Sequence, residues 1–195
     1  MASAVLKKIA SKQRVSIAET NKSAERAKAI FDNANPVQRL FLSDTSIFQS
    51  ILCPRRAGKS FSITSKALYI GECKPGARIL IISLNLKSTK ENFWGAAPGG
   101  IFWQNKVYGL NLHFNNTDYT WTHENGSRGR LAGADTRADI EAFRGAGAEN
   151  DAVFIDEAGS FAPDLLRDLV FEVLMPGLMT RGGTICLTGT PGLIP

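Results

Sequence analysis

Apolar residues in this chain fall in short, dense runs separated by glycine, proline and charge. Four runs read as strands: Ser46–Leu52, Arg78–Ser83, Asp151–Ile155 and Thr184–Leu187. The first and second are apolar enough to read as buried strands, the pattern of a parallel sheet covered on both faces. Between them lie stretches with helical composition: Ser23–Ala34, Pro36–Leu42 with proline in its first turn, Phe61–Ile70, and Lys87–Trp94. A further helix is opened by Pro163-Asp164 and stopped at Pro176-Gly177. Leu112–His123 and Arg128–Ala132 flank Glu124-Asn125-Gly126-Ser127, and Asn-Gly between strand-like runs predicts a hairpin. Two stretches predict irregular structure: Trp94–Gly109, rich in Gly, Pro and aromatics, and the polar, glycine-rich loop Gly133–Asn150. Strands alternating with helices predict an α/β fold, with a mainly parallel central sheet flanked by helices plus one antiparallel hairpin.

Composition narrows the classes. At 195 residues the chain is long enough for one α/β domain with a sizeable core. No apolar run is long enough to span a membrane and no signal-peptide pattern is present, so an intracellular protein without a membrane partner is expected. Cys53, Cys73 and Cys186 lack metal spacing and are expected to be reduced packing residues. His113 and His123 have no ligand partners nearby in sequence and receive no role. The net charge of +5 belongs to residues 1–30, which hold seven Lys and Arg against Glu19 and Glu25; the remainder is balanced. The expected organisation is a basic arm over 1–30 and a single domain over 31–195. Such an arm suits DNA backbone or an acidic partner, and equally a solvated helix face.

The candidate chemistry sits in two motifs. Cys53-Pro54-Arg55-Arg56-Ala57-Gly58-Lys59-Ser60 lies between a predicted strand and a predicted helix, the context of a phosphate-binding loop. Pro54 opens the loop, and the backbone N–H groups of Arg55–Ser60 and of the helix N-terminus would face phosphates. Lys59 would supply charge at the β/γ-phosphates, and Ser60 would ligate Mg²⁺. Cys53 stands where the usual motif has its first glycine. The second motif, Asp151–Ala158 (DAVFIDEA), ends an apolar strand in two acids. Asp156 would hold Mg²⁺, and Glu157 would polarise the attacking water as general base. Together the motifs predict a P-loop NTPase that hydrolyses ATP with Mg²⁺. Gln38, upstream of the loop, is a candidate reader of adenine N6 and N7.

These residues, in this order, resemble the N-terminal ATPase domain of the large terminase subunit, the DNA-packaging motor of tailed bacteriophages. Four features carry the resemblance, over about residues 30 to 195. They are the arginine-bearing loop Pro54–Ser60; the Asn125-Gly126-Ser127 turn leading to Leu131-Ala132-Gly133-Ala134 and Phe143-Arg144-Gly145; Phe154-Ile155-Asp156-Glu157-Ala158; and Met175-Pro176-Gly177-Leu178 followed by Leu187-Thr188-Gly189-Thr190-Pro191. The resemblance implies an ASCE/RecA-like fold and a motor that moves double-stranded DNA without reading its sequence. It also implies a homo-oligomeric ring on the phage portal, a small terminase subunit as partner, and action in the host cytoplasm. Gln38 falls on the family's adenine-reading glutamine. Arg55 matches an arginine that senses the γ-phosphate in cis, and Arg144 one that reaches a neighbour's ATP in trans. Arg56 is the lesser phosphate partner, and Thr190 would link ATP state to movement of the segment after it. The family's nuclease domain has no counterpart in this chain, so no DNA cutting is expected. Lys87, Lys90, Arg128 and Arg130 are candidate DNA contacts only as surface charges. Two alternatives remain open: a helicase-like nucleic-acid-dependent ATPase, and a nucleotide-binding assembly subunit without turnover.

Overall fold

The computed structural model describes residues 19–95, 97–144 and 149–191. Seven strands form one sheet in the order β1-β7-β6-β2-β5-β4-β3. They are β1 (Phe48–Leu52), β2 (Arg78–Ser83), β3 (His113–Asn115), β4 (Thr120–Thr122), β5 (Arg128–Gly133), β6 (Ala152–Ile155) and β7 (Thr184–Gly189). Strands β1, β7, β6, β2 and β5 run parallel, and β4 and β3 extend the sheet antiparallel. The expected α/β sheet with an antiparallel extension is therefore what the chain forms. Strand β7 intervenes between β1, which enters the Cys53–Gly58 loop, and β6, which ends in the acids.

Alternation along the strands sorts the core into two layers. Ile79, Ile81, Phe154 and Cys186 face one way, under α1 (19–33), α2 (Pro36–Ser43), α3 (Lys59–Cys73) and α5 (Ile101–Tyr108). Leu80, Ile82, Val153, Ile155 and Ile185 face the other way. That layer is covered by α6 (Arg137–Arg144) and by a continuous helical stretch: α7 (Pro163–Arg167), a π-helical segment Asp168–Leu174, and α8 (Met175–Arg181). Strand β2, buried from Ile79 to Ser83, has the pattern of a strand covered on both faces.

Several elements differ from the sequence reading. The first strand was expected to be buried, yet β1 is the sheet edge, and Leu52 is 72% exposed. An apolar run alone does not show how many neighbours a strand has. The two stretches expected to be irregular each contain a helix, α5 and α6. Glycine lowers helix propensity by about 1 kcal/mol per residue, but the glycines lie outside these helices: Gly100 and Gly109 bound α5, and Gly109 caps it in the left-handed region at φ 60°. The helix expected to stop at Pro176-Gly177 continues to Arg181, with Pro176 in the first turn of α8. There a missing N–H is tolerated. Lys87–Trp94 is helical as expected, as α4 (Leu86–Thr89) widening into a π turn over Lys90–Trp94.

The antiparallel extension is pinned from below by aromatics. Trp94 meets Phe102, Phe114 and Tyr119 edge-on at 5.4–5.5 Å, and Phe102 stacks on Phe114 at 4.0 Å. Trp121 lies on Gly129, its cross-strand partner, where an added Cβ would come within 2.0 Å of the ring. His123, given no role in the sequence reading, is buried, and its Nδ1 sits 2.8 Å from Glu72 Oε1 of α3. That contact fastens the β4–β5 turn to the helix. The expected arm-to-domain division at 30/31 falls inside α1, whose Ile30 belongs to the core. Arg26 of α1 donates to Glu124 at 2.8 Å. Residues 1–18 lie outside the described residues. Among those described, no helix is long and apolar enough to cross a membrane.

Candidate active site

In open α/β sheets, ligands bind beyond the carboxyl ends of the strands where the strand order switches. Here the carboxyl ends of β1, β6 and β7 lie side by side and bring together residues from opposite ends of the chain. Leaving β1, Cys53 donates its N–H to the Gly189 carbonyl at 3.3 Å, tying the loop to β7. The loop turns through Arg56 at φ 64° and Gly58 at φ 87°, and α3 begins at Lys59. Gly58 is the position where a side chain would be strained. The first turn of α3 has no side-chain cap and no acid, leaving its N–H groups for an anion.

Lys59 is only 9% exposed. Its Nζ donates to Thr190 Oγ1 at 2.8 Å and to the Cys53 carbonyl at 3.2 Å, and lies 3.5 Å from Glu157 Oε1. Glu157 stands in the left-handed region at φ 49°, an uncommon place for a non-glycine residue that aims its carboxylate back at β7. That carboxylate accepts from the Thr190 hydroxyl at 2.8 Å and from the Thr190 N–H at 3.2 Å. Lys59, Glu157 and Thr190 thus form one closed network across three elements.

Asp156 is 2% exposed and has no cation within ion-pair distance among the described residues. Its carboxylate accepts from Thr188 Oγ1 at 2.9 Å and from Asn92 Nδ2 at 3.4 Å. Burial pushes its pKa above the ordinary carboxylate value, and the neighbouring Glu157 charge adds to this; the bonds from Thr188 and Asn92 and the Lys59 charge oppose it. A buried carboxylate in this condition favours either a proton or a cation. Ser60 is half-buried next to Lys59, and its hydroxyl makes no hydrogen bond among the described residues. No three His, Cys, Asp or Glu side chains cluster to hold a metal among the described residues. A cation at Asp156 would complete its shell with hydroxyl, water or phosphate oxygens, the manner of Mg²⁺.

Gln38 closes a capping box at the start of α2: its N–H and Oε1 pair with Asn35 at 2.9 and 3.0 Å. Its Nε2 stands 3.6 Å from where a Cβ on Gly58 would lie, so it sits against the loop. A cleft of about 610 Å³ opens there, lined by Gln38, Phe41, Leu52, Cys53, Ala57 and Lys59 among others. Arg55 and Arg56 are exposed on the loop and make no hydrogen bond or ion pair among the described residues. Arg144 is not brought to this site. It ends α6, exposed, paired with Glu141 at 2.8 Å, and Gly145 lies outside the described residues. Thr188 and Asn92 were missed by sequence reasoning. Thr188 alternates with Thr190 at a strand end, which is a weak signal, while Asn92 reaches Asp156 from a π turn that leaves none.

No protein-family model and no curated protein sequence matches the chain. Solved structures do. The large terminase ATPase domain of Thermus phage P74-26 superposes with a TM-score of 0.63 at 20% identity, covering 84% of this chain and 67% of that one. The chain has the fold of the phage large-terminase ATPase domains. The large terminase of a second thermophilic bacteriophage matches at TM-score 0.61 and 14% identity, over 86% of this chain and 38% of its own. That same terminase has also been solved with ADP and with ATP-γ-S. The large terminase of bacteriophage HK97 matches at 0.61 and 11%, over 81% and 33%. The P-loop NTPase fold expected from the sequence is therefore the fold adopted, and the terminase resemblance holds at that level.

Proposed function

We propose that this chain is the ATP-hydrolysing motor domain of a phage terminase large subunit, driving double-stranded DNA into a procapsid. The observation that carries the reading is the Lys59–Glu157–Thr190 network, in which the Thr190 hydroxyl accepts from Lys59 and donates to Glu157 and the two charges lie 3.5 Å apart. Gln38 and the cleft beside it receive the adenine. Ser60 and Asp156 would hold Mg²⁺, which would supply neutralisation of phosphate charge. Lys59 exchanges Thr190 and Glu157 for phosphate oxygens, since one ammonium has only three donors. Glu157, relieved of Lys59, orients the attacking water and accepts its proton. Arg55 steadies the γ-phosphate from within the chain, and Arg144 acts on a neighbour's nucleotide in a ring. Portal protein and small terminase subunit are the partners of that ring, in the host cytoplasm.

Glu157→Gln is expected to keep ATP affinity and lose turnover by about 10²- to 10⁴-fold, the worth of a positioned base. Undiminished turnover sinks the assignment. Arg144→Ala is expected to bind ATP normally yet fail to stimulate a Glu157→Gln partner in mixed assemblies. Turnover per subunit that rises with protein concentration supports the trans role; a flat rate places the catalytic groups in one chain and shifts that work to Arg55.

A further inference from the structure

The core face of the antiparallel extension is sealed by Trp121 and Phe114; on its opposite face α6 reaches only as far as Arg130, through Phe143, and Arg78, Arg128 and Thr122 stay exposed. The register places Arg78, Arg128 and Thr122 in one row across three strands, and Arg130 beside Thr120 in the next. Neighbouring strands are about 4.8 Å apart and same-face residues about 6.8 Å apart along a strand, so the three arginines start from one small patch of rigid backbone. Together with Thr120 and Thr122 they line a groove of about 270 Å³.

The donors in this groove are largely unspent. Arg128 is exposed and makes no hydrogen bond or ion pair among the described residues. Arg130 is half-buried, its guanidinium 5.4 Å above the Phe143 ring, and also makes neither. The Thr120 and Thr122 hydroxyls have no partners among the described residues. Glu149 is the acid of the groove; it holds Arg78 at 3.3 Å in an exposed pair of the kind worth little. By contrast Lys90, an equal candidate in the sequence, is spent on the Tyr119 hydroxyl and ring.

We propose that this face grips the phosphate backbone of duplex DNA. The proposal rests on the DNA-motor reading above and names where the DNA would be held. Guanidinium forks and hydroxyls are the groups that bind phosphate oxygens without reading sequence. Among the described residues no aromatic side chain lines the groove, whereas a single-strand site uses aromatics as its stacking platform.

The test is duplex binding across a salt series, by fluorescence anisotropy, with two unrelated short duplexes. Wild type is compared with Arg128→Gln, Arg130→Gln, the double variant, and Arg130→Lys, which keeps the charge. Each neutralised arginine is expected to reduce the slope of log K against log salt by about 1, equally for both sequences. Arg130→Lys should hold the wild-type slope, and affinity for a fluorescent ATP analogue should not change. An unchanged slope in exposed Arg128→Gln overturns the proposal while leaving the DNA-motor reading intact. So does a loss confined to one sequence, or displacement by polyglutamate as effective as by duplex, which assigns the face to an acidic protein. If wild type binds no duplex at all, both fall.

Discussion

Helix α3 carries two buried lysines about two turns apart, and they do opposite work. Lys59, at its start, faces a hydroxyl, one carbonyl and a carboxylate that is itself half exposed. Lys66 is 1% exposed, and its Nζ donates to the Phe41 and Asp44 carbonyls and to Gln49 Oε1 at 2.7–2.8 Å, over the Phe41 ring. Burial brings its pKa down to about 8, with Cys186 and Asp44 opposing. All three Lys66 donors are spent on groups of the chain itself, so it locks α2, and Gln38 with it, to α3. The partners of Lys59 are ones that a phosphate can displace. Two lysines of equal charge on one helix become a clamp and a candidate ligand group solely through what surrounds them.

The comparison is broken most severely at Lys59. Lys59→Met is expected to abolish measurable ATP turnover in a coupled assay, a loss of about two orders of magnitude or more, with thermal stability nearly unchanged. A large drop in stability would show that the network is structural. Lys66→Met should do the reverse. It strands three acceptors, each costing about 1–3 kcal/mol when buried and unpaired, so denaturant unfolding should show a clear loss of stability. ATP affinity should weaken only as far as α2 loosens, and turnover at saturating ATP should persist.

The smallest effect sharpens the contrast. Lys66 binds its proton less tightly when folded than the ordinary lysine value of 10.5. The unfolded chain therefore holds more protons between about pH 8 and 10.5, and this group makes stability rise with pH across that window. The stability gap between wild type and Lys66→Met should widen in the same direction. A gap that closes as pH rises through about 8 would show that the charge itself, rather than the amine donors, holds the clamp.

The two motifs that matter most were legible because their physics is local. A tight turn ending in Gly58-Lys59-Ser60 before a helix, and a strand ending in two acids, each specify their own backbone. The sheet was legible for the same reason, since strand alternation and apolar runs are short-range patterns. The helices α5 and α6 were hidden because glycines crowd their flanks, and β1 looked interior because an apolar run does not reveal its pairing partners. Asn92, Thr188 and Lys66 carried no clear signal: nothing near Lys66 in sequence announces that a helix end, a loop and a strand will each offer it an oxygen.

By itself the sequence determined the fold class, the tight strand-to-helix loop ending at Gly58-Lys59-Ser60, and the strand ending in Asp156 and Glu157. Tertiary structure alone decided that Thr190 stands beside Lys59 across 131 residues, and that Arg144 stays on its own helix away from the site. It also decided that Arg128 and Arg130 line one groove, the first exposed and the second half-buried against Phe143. The reason is that propensity and periodicity act within about one element, whereas strand order and the presence of a covering layer are settled when the whole sheet assembles.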